Sequence, residues 1–339
     1  MSNQENNKEI ILTGVRPTGV LTIANYLGAM KPIIELQKQG AVPYVFVADL
    51  HAFTDNEPSK VKQYVNELVA DYVALGLDPE KAIIYTQTHI KGQVTTLMTY
   101  LARLITVNEL LRVPTLKDKI KDNKKAETVN ALLLLYPVLM AADILIQRST
   151  VIPVGKDQVA HIEVSKLLAE RFNSRYGNVF PVPKVHQYKS LRIMSLKGEG
   201  KMSKSMPEGA IFLTDTPEDV AKKIKKAQTA FAGEMSDSLE SLIHIAEGLA
   251  ENEEEIKEIR DIVERHMKGD NVMGEMKPKV IEIVTNFLIK FQKKRADVLC
   301  DTNLVSSILH KGGKIAVAGA NETVFETEKA MFNENSDNE

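Results

Sequence analysis

The sequence predicts an α/β fold: a parallel sheet wound with helices and interrupted by a helical insertion, followed by an all-helical C-terminal domain. Three observations lead there. Short apolar runs alternate with helix-period segments through the first 90 or so residues. Residues 93 to 147 carry mostly helical patterns, and strand patterns end before Pro217. A chain of 339 residues is long enough for two domains, and at 44% hydrophobic it can bury a sizeable core.

The elements follow in order. "EIILTGV" (9–15) reads as a buried strand that ends at the turn signal Arg16-Pro17-Thr18-Gly19. A helix is predicted from about Thr22 to Gln39, with Ile23, Leu27, Met30 and Ile34 on one face and Gly40 ending it. "VPYVFVAD" (42–49) is the second strand. "PSKVKQYVNELVADYVALG" (58–76) is a helix that starts near Pro58 and has Gly76 as its C-cap, with Val61, Val65, Leu68, Tyr72 and Leu75 on one face. "AIIYTQ" (82–87) is the third strand. "STVIPVG" (149–155) reads as a fourth, followed by a helix over 157–176. Asp215 or Thr216 can cap a helix with Pro217 at its first position. Helical patterns then continue to about residue 332, and the polar tail 333–339 reads as disordered. No internal repeat is visible. The layout is a Rossmann-type domain over 1–212, with a helical insertion at about 106–147, and a helical domain over 213–332.

Composition excludes several classes. Lys and Arg total 43 against 45 Asp and Glu, so there is no basic coat for nonspecific nucleic-acid binding, although local patches remain possible. A single cysteine, Cys300, excludes an internal disulfide framework and fits a reducing compartment. The N-terminus has no apolar signal segment, and no run approaches the roughly 18 apolar residues of a membrane span. These features lead to the expectation of a soluble, cytoplasmic protein with no membrane partner.

Two stretches point to chemistry. Ligands of open parallel sheets bind at the carboxyl ends of strands. Thr13, Gly14, Arg16 and Thr18 crowd the end of the first strand, and the helix starting near Thr22 would aim its amides at the same place, which favours an anion. Neither GxxxxGK[ST] nor GxGxxG is present, so an ordinary strand-to-helix turn remains an alternative there. Further on, "GKMSKSMPEG" (200–209) places Lys201 and Lys204 with Ser203 and Ser205 on a glycine-flanked loop. Two flexible ammonium groups can follow a polyphosphate as its charge shifts during phosphoryl or nucleotidyl transfer; the alternative is a solvated surface loop.

"KMSKS" (201–205) matches the second signature of the class I aminoacyl-tRNA synthetases, and "RPTGVLTIAN" (16–25) sits where their first signature belongs. The chain most resembles the bacterial tryptophanyl-tRNA synthetase family. The resemblance also rests on "ADLHAFTDN" (48–56), "LLYPVLMAADIL" (134–145), "IPVGKDQVAHIEVSKLLAERFN" (152–173) and "RIMSL" (192–196), so it spans about residues 9 to 230. It implies activation of L-tryptophan by ATP with Mg²⁺, release of pyrophosphate and transfer to tRNA(Trp). No protein metal ligands are expected, and a homodimer is implied, with the helices around 93–113 as a candidate interface.

By the same resemblance, Arg16, Pro17, Thr18, Ala24 and Asn25 line the ATP site, and Gly155, Lys156 and Asp157 meet the ribose. Ile193 covers the adenine, and the loop residues Lys201, Met202, Ser203, Lys204 and Ser205 complete the site. Lys201 and Lys204 grip the departing pyrophosphate, with Lys119 either joining them or remaining a solvated helix charge. Asp143 accepts the indole N–H, and Met140, three residues earlier on the same helical face, packs on the ring. Tyr136, Ile144, Val154, Gln158 and His51 are further pocket candidates, though His51 equally suits a structural role. The apolar context "LLLLYPVLMAADILI" argues that Asp143 is buried rather than solvated. Residues from about 213 onward would hold the anticodon arm, with Lys222, Lys223, Lys225 and Lys226 suited to phosphate contacts.

The chain departs from the family at three places. Ala24 replaces a glycine, so its methyl is expected to crowd the adenine; Arg16 replaces a glutamine and adds charge beside the phosphates; Leu12 replaces an aromatic residue. The rival readings are a tyrosyl-type synthetase, a non-catalytic paralogue that binds nucleotide or tRNA, and a small-molecule nucleotidyltransferase.

Overall fold

The computed structural model describes residues 9–53, 56–122, 130–155, 159–186, 193–198, 200–301 and 303–332. The expected tail 333–339 lies outside the described residues, as do Lys156, Asp157 and Gln158. Strand β1 (Leu12–Val15) leads into α1 (Ile23–Asn25), a π-helical turn (Tyr26–Met30) and α2 (Lys31–Lys38). Then come β2 (Tyr44–Val47), α3 (Asp49–Ala52), α4 (Pro58–Ala74), β3 (Ile83–Thr86), a 3₁₀ turn (Gln87–Ile90) and α5 (Lys91–Ala102). Helices α6 (Val107–Leu110), α7 (Pro114–Asp122) and α8 (Ala131–Ile146) lie between α5 and the next strand. Strand β4 (Val151–Pro153), α9 (Val159–Tyr176) and β5 (Lys184–His186) close the α/β part. Helices α10 (Pro217–Lys225), α11 (Asp237–Leu249), α12 (Glu253–Met267), α13 (Met273–Cys300) and α14 (Leu304–Phe332) follow.

The pairings among these five strands are parallel. Strands run β1-β2-β3 in one group and β4-β5 in the other. A parallel bridge between Ile11 and Val151 joins the groups, so the spatial order is β3-β2-β1-β4-β5. The order reverses beside β1, which is where a doubly wound sheet opens its binding crevice. β5 escapes a reading of the sequence because it is three residues long and half-exposed.

The sheet separates two cores, and side-chain alternation sorts residues between them. Val45, Val47 and Ile84 face one side and join Ile23, Leu27, Val61, Val65 and Leu68. That core continues into the C-terminal helices through Leu239, Leu242, Val280 and Ile283. Leu12, Phe46, Tyr85 and Ile152 face the other side with α5, α8 and α9. The helix expected from Thr22 to Gln39 is interrupted by the π turn, where Tyr26 stacks on Phe287 of α13 at 5.2 Å between ring centroids. Its predicted face holds nonetheless: Ile23, Leu27, Met30 and Ile34 are all buried. Thr216, not Asp215, caps α10, through a capping box with Asp219; Asp215 instead pairs with Lys223 at 2.6 Å. Among the described residues, no helix is long and apolar enough to cross a membrane.

The C-terminal helices are tied to the sheet domain by polar contacts as well. Lys31 Nζ donates to the Gly248 carbonyl at 2.7 Å. Arg295 of α13 donates through Nε to Asp71 of α4 at 2.5 Å, with Asp71 buried. Burial raises the Asp71 carboxyl to about 6 and outweighs the opposing pull of Arg295. A raised carboxyl favours the folded state at low pH, and that contribution is lost as pH rises through about 6. Arg295→Met therefore leaves an uncompensated buried carboxylate. We expect a loss of about 3 kcal/mol where Asp71 is ionised in both chains, shrinking as pH falls toward about 6, because without Arg295 the carboxyl takes up its proton at a higher pH than in the wild-type chain. Urea unfolding of both chains on either side of that pH measures it.

Candidate active site

A cavity of about 530 Å³ opens at the carboxyl ends of β1, β2 and β4. One end is polar. Arg16, Thr18, Asn25, Gly155 and Lys204 line it. The other is apolar and aromatic, with Tyr136, Met140, Ile144, Val154 and the ring of His51 in its wall. Phe46 floors the cavity across Gly14, where an added Cβ would lie 2.3 Å from the ring. Glycine is therefore required there for steric reasons.

The polar end is built by a loop folded onto a turn. Ile193 and Met202 are buried and joined by the Met202 N–H bonding the Ile193 carbonyl at 3.0 Å. This short hairpin presents Lys204 to the turn after β1. Its ammonium donates to the Thr18 carbonyl (3.3 Å), the Thr18 hydroxyl (3.1 Å) and the Gly19 carbonyl (3.0 Å). An ammonium has three donors, so these contacts use its full capacity. Gly19 takes φ +84°, the left-handed conformation that turns its carbonyl toward the lysine. Burial lowers the Lys204 pKa from the ordinary lysine value, while the nearby Asp71 charge acts in the opposite sense. Lys201 is exposed, and its backbone bridges Met194. Ser203 and Ser205 bond each other at 2.9 Å.

At the helix start, where the sequence suggested amides for an anion, two of the amides are engaged within the chain. The Ile23 N–H is bonded to the Ile211 carbonyl at 2.9 Å, and the Asn25 N–H turns back to Thr22. The Asn25 side chain in turn accepts from the Thr22 N–H at 3.0 Å, completing a capping box. The Thr22, Ile23 and Asn25 amides are thus already bonded, and the cations Arg16 and Lys204 supply positive charge at this end.

Behind the apolar wall lies Asp143, 1% exposed. Gln87 donates its amide to both carboxylate oxygens at 2.7 Å, and His51 Nε2 bonds Oδ2 at 3.0 Å. Burial raises the Asp143 pKa, and the His51 and Gln87 contacts oppose the rise. The Gln87 side-chain oxygen Oε1 accepts the His51 backbone N–H at 3.3 Å, so one buried glutamine ties α3, β3 and α8 together. In the cavity wall, Thr115 Oγ1 lies 2.9 Å from the Tyr136 hydroxyl and 2.7 Å from His161 Nε2.

Ten of the residues expected in the ATP and tryptophan sites thus share one cavity, and Asp143 backs its wall. Pro17, Ala24, Ile193, Lys201, Met202, Ser203 and Ser205 are outside the cavity lining; Ala24 packs against the larger core. Lys156, Asp157 and Gln158 lie outside the described residues, and of Lys119 only the backbone, within α7, is described. Sequence reading missed Gln87, Thr115 and His161. For Gln87 the signal was available: it follows the third strand directly, at a carboxyl end. His161 sits within the quoted stretch 152–173.

Removing the Asp143 carboxylate would leave the Gln87 amide and the His51 ring nitrogen without their buried partner. We expect Asp143→Ala to lower stability by about 2 kcal/mol, read as a shift in the urea midpoint.

A family model described as tRNA synthetases class I (W and Y) matches residues 4–289. A tryptophan–tRNA ligase of Bacillus subtilis is 36% identical over 337 residues, covering 96% of this chain and 98% of its own. One of Chlamydia caviae is 32% identical over 339 residues, covering 96% of each chain. Among solved structures, the tryptophanyl-tRNA synthetase of Mycoplasma pneumoniae superposes with a TM-score of 0.84 at 30% identity, covering 96% of this chain and 98% of that one. The Campylobacter jejuni tryptophanyl-tRNA synthetase, complexed with ADP and tryptophan, gives 0.80 at 28% identity, covering 95% and 99%. With a cavity at the strand ends, Lys204 of the signature loop closing one side and a buried Asp143 behind the other, this chain belongs to the class I tRNA synthetases for tryptophan and tyrosine.

Proposed function

We infer that this chain is a tryptophan–tRNA ligase. It activates L-tryptophan with ATP to tryptophanyl-adenylate and pyrophosphate, then transfers the aminoacyl group to the 3′ end of tRNA(Trp). One observation carries the reading: a single cavity has two cations at one end, and at the other an apolar wall backed by a buried carboxylate.

The two ends suit the two substrates. Met140, Ile144 and Phe46 offer an apolar slot to a flat ring. An ionised carboxylate has about four acceptor positions, and the Gln87 and His51 contacts occupy three on Asp143. Among the described residues, that leaves one for an indole N–H. A site whose buried acceptor needs that donor rejects a ring lacking it, because the acceptor is otherwise left unpaired.

In the activation step, an oxygen of the tryptophan carboxylate attacks the α-phosphorus of ATP. The new C–O–P linkage forms, and the bond from α-phosphorus to the bridging oxygen breaks, with its electron pair leaving on pyrophosphate. Catalysis in such a reaction is positioning and charge stabilisation. Arg16 and Lys204 line the end where the phosphates would lie. Lys204 would exchange its Thr18 and Gly19 carbonyl contacts for phosphate oxygens, and exposed Lys201 would close over from the loop. Mg²⁺ would arrive on the nucleotide, whose phosphates supply the hard oxygen ligands it prefers.

For the second substrate, residues 213–332 form the proposed anticodon-arm domain and 1–212 the catalytic one. Lys222 and Lys225 of α10 and Lys226 at its C-cap are exposed and suited to phosphate contacts. Lys223 is drawn away from that set, paired with Asp215 and lying over the Phe212 ring at 4.9 Å. A homodimer in the cytoplasm completes the proposal.

ATP–pyrophosphate exchange tests it. Exchange should depend on tryptophan, with tyrosine and no amino acid at background. Exchange with tyrosine alone, or with no amino acid at all, overturns the reading. Asp143→Ala should cut tryptophan-dependent exchange by about 100-fold or more, and Lys204→Ala should lower kcat by about 100-fold, the scale of losing one charge-stabilising donor.

A further inference from the structure

The grip of Gln87 on Asp143 depends on where the turn after β3 holds the glutamine, and that turn is held from outside. Thr86 caps the turn. Its N–H donates to His89 Nδ1 at 3.2 Å, and its hydroxyl lies 2.6 Å from the same nitrogen. His89 Nδ1 is thus an acceptor, which places the ring proton on Nε2. One residue before His89, Thr88 donates its N–H and hydroxyl to the two oxygens of Asp49, at 3.1 and 2.6 Å. Gln87 sits between these two clamps, fully buried, and reaches inward to Asp143.

One side of the His89 ring lies against α14, and the rest of the residue is exposed. At Gly313 an added Cβ would lie 2.4 Å from His89 Cδ2 and 2.9 Å from both Cγ and Nε2. At Gly312 it would lie 2.0 Å from the Ile84 carbonyl oxygen and 2.7 Å from its carbon. Ile84 belongs to β3, and backbone there has no room to move. Gly312 therefore sets α14 directly on the strand, and Gly313 sets it on the histidine. With the helix this close, the ring cannot leave Thr86 in that direction.

We propose that the Gly312–Gly313 step of the C-terminal helix, acting through His89, positions Gln87 against Asp143 and so sets the affinity of the tryptophan pocket. Gly313 and His89 are positioning residues; neither lines the cavity. The inference rests on the tryptophan reading above and adds to it a control element more than 200 residues away along the chain. Geometry transmits the effect: a Cβ at 313 displaces the imidazole, Thr86 loses its cap partner, and the turn carrying Gln87 shifts. Displacements of about 1 Å in such frameworks cost up to about 100-fold in function.

The chain contains no tryptophan, so the emission of added L-tryptophan reports its binding without protein background. Gly313→Ala should weaken tryptophan binding about tenfold and leave the KM for ATP in pyrophosphate exchange within about twofold. His89→Ala should do the same, and the double variant should be no worse than the weaker-binding single, because both act on one contact. His89→Asn places an amide oxygen near the Nδ1 position and is smaller than the ring, so in the Gly313→Ala background it should restore binding to within about twofold of the wild-type chain. Unchanged tryptophan affinity in both single variants overturns the proposal. So does equal loss of tryptophan and ATP affinity, or effects that multiply in the double variant. Absence of any saturable tryptophan signal in the wild-type chain would instead overturn the functional reading itself, and the inference with it.

Discussion

A carboxylate buried to 1% exposure cannot remain alone, and the Asp143 carboxylate organises much of this molecule around itself. Its helix, α8, is apolar for most of its length, so partners must come from other elements. Gln87 comes from the turn after β3, and His51 from α3 after β2. Both arrive at the carboxyl ends of parallel strands, where the sheet leaves room for polar side chains. The requirement for buried polar groups to be paired thus fixes the relative placement of two strand ends and the helical insertion. In doing so it shapes the apolar end of the cavity.

The opposite end is governed by cations in partly desolvated surroundings. Lys204 holds three oxygens of the β1 turn, which keeps the signature loop folded against the sheet before any substrate arrives. The same contacts satisfy the ammonium during that time. Burial pulls its pKa down, so a polyanion that replaces the backbone oxygens restores the preference for the charged form. A group held by weak neutral acceptors and released to stronger charged ones suits a reaction whose charge moves from ATP onto the departing pyrophosphate. The Asp71–Arg295 pair joins this region to α13, and Asp71 also influences Lys204. The long helices beyond the sheet therefore contribute to the electrostatics of the site.

Much of the fold was legible because its signals are local. The apolar runs at 9–15, 42–49 and 82–87 each contain an observed strand, and the period-3.6 faces of 22–39 and 58–76 are buried as read, apart from partly exposed Leu75. Gly40 and Gly76 end their helices with positive φ. What escaped was decided by contacts between distant segments. The π turn at Tyr26–Met30 accompanies the stacking of Tyr26 on Phe287, some 260 residues later. The amides of the first helical turn looked available for an anion, yet Ile23 bonds Ile211 on a segment no local pattern connects with it. Gln87 looked like the last residue of a strand, and only its approach to Asp143 gives it a role.

By itself, the sequence determined the α/β class, the helical C-terminal half and the family, because periodicity, turn chemistry and the ordered motifs "RPTGVLTIAN", "MAAD" and "KMSKS" are properties of contiguous residues. Tertiary structure alone decided which of those residues meet. It put Lys204 on Thr18 and Gly19, drew Lys223 inward to Asp215, set Gln87 and His51 on Asp143, and laid Gly313 on His89. The physical reason is that hydrogen-bond pairing and close packing in the interior are settled between segments far apart in the chain, where no local pattern records the partner.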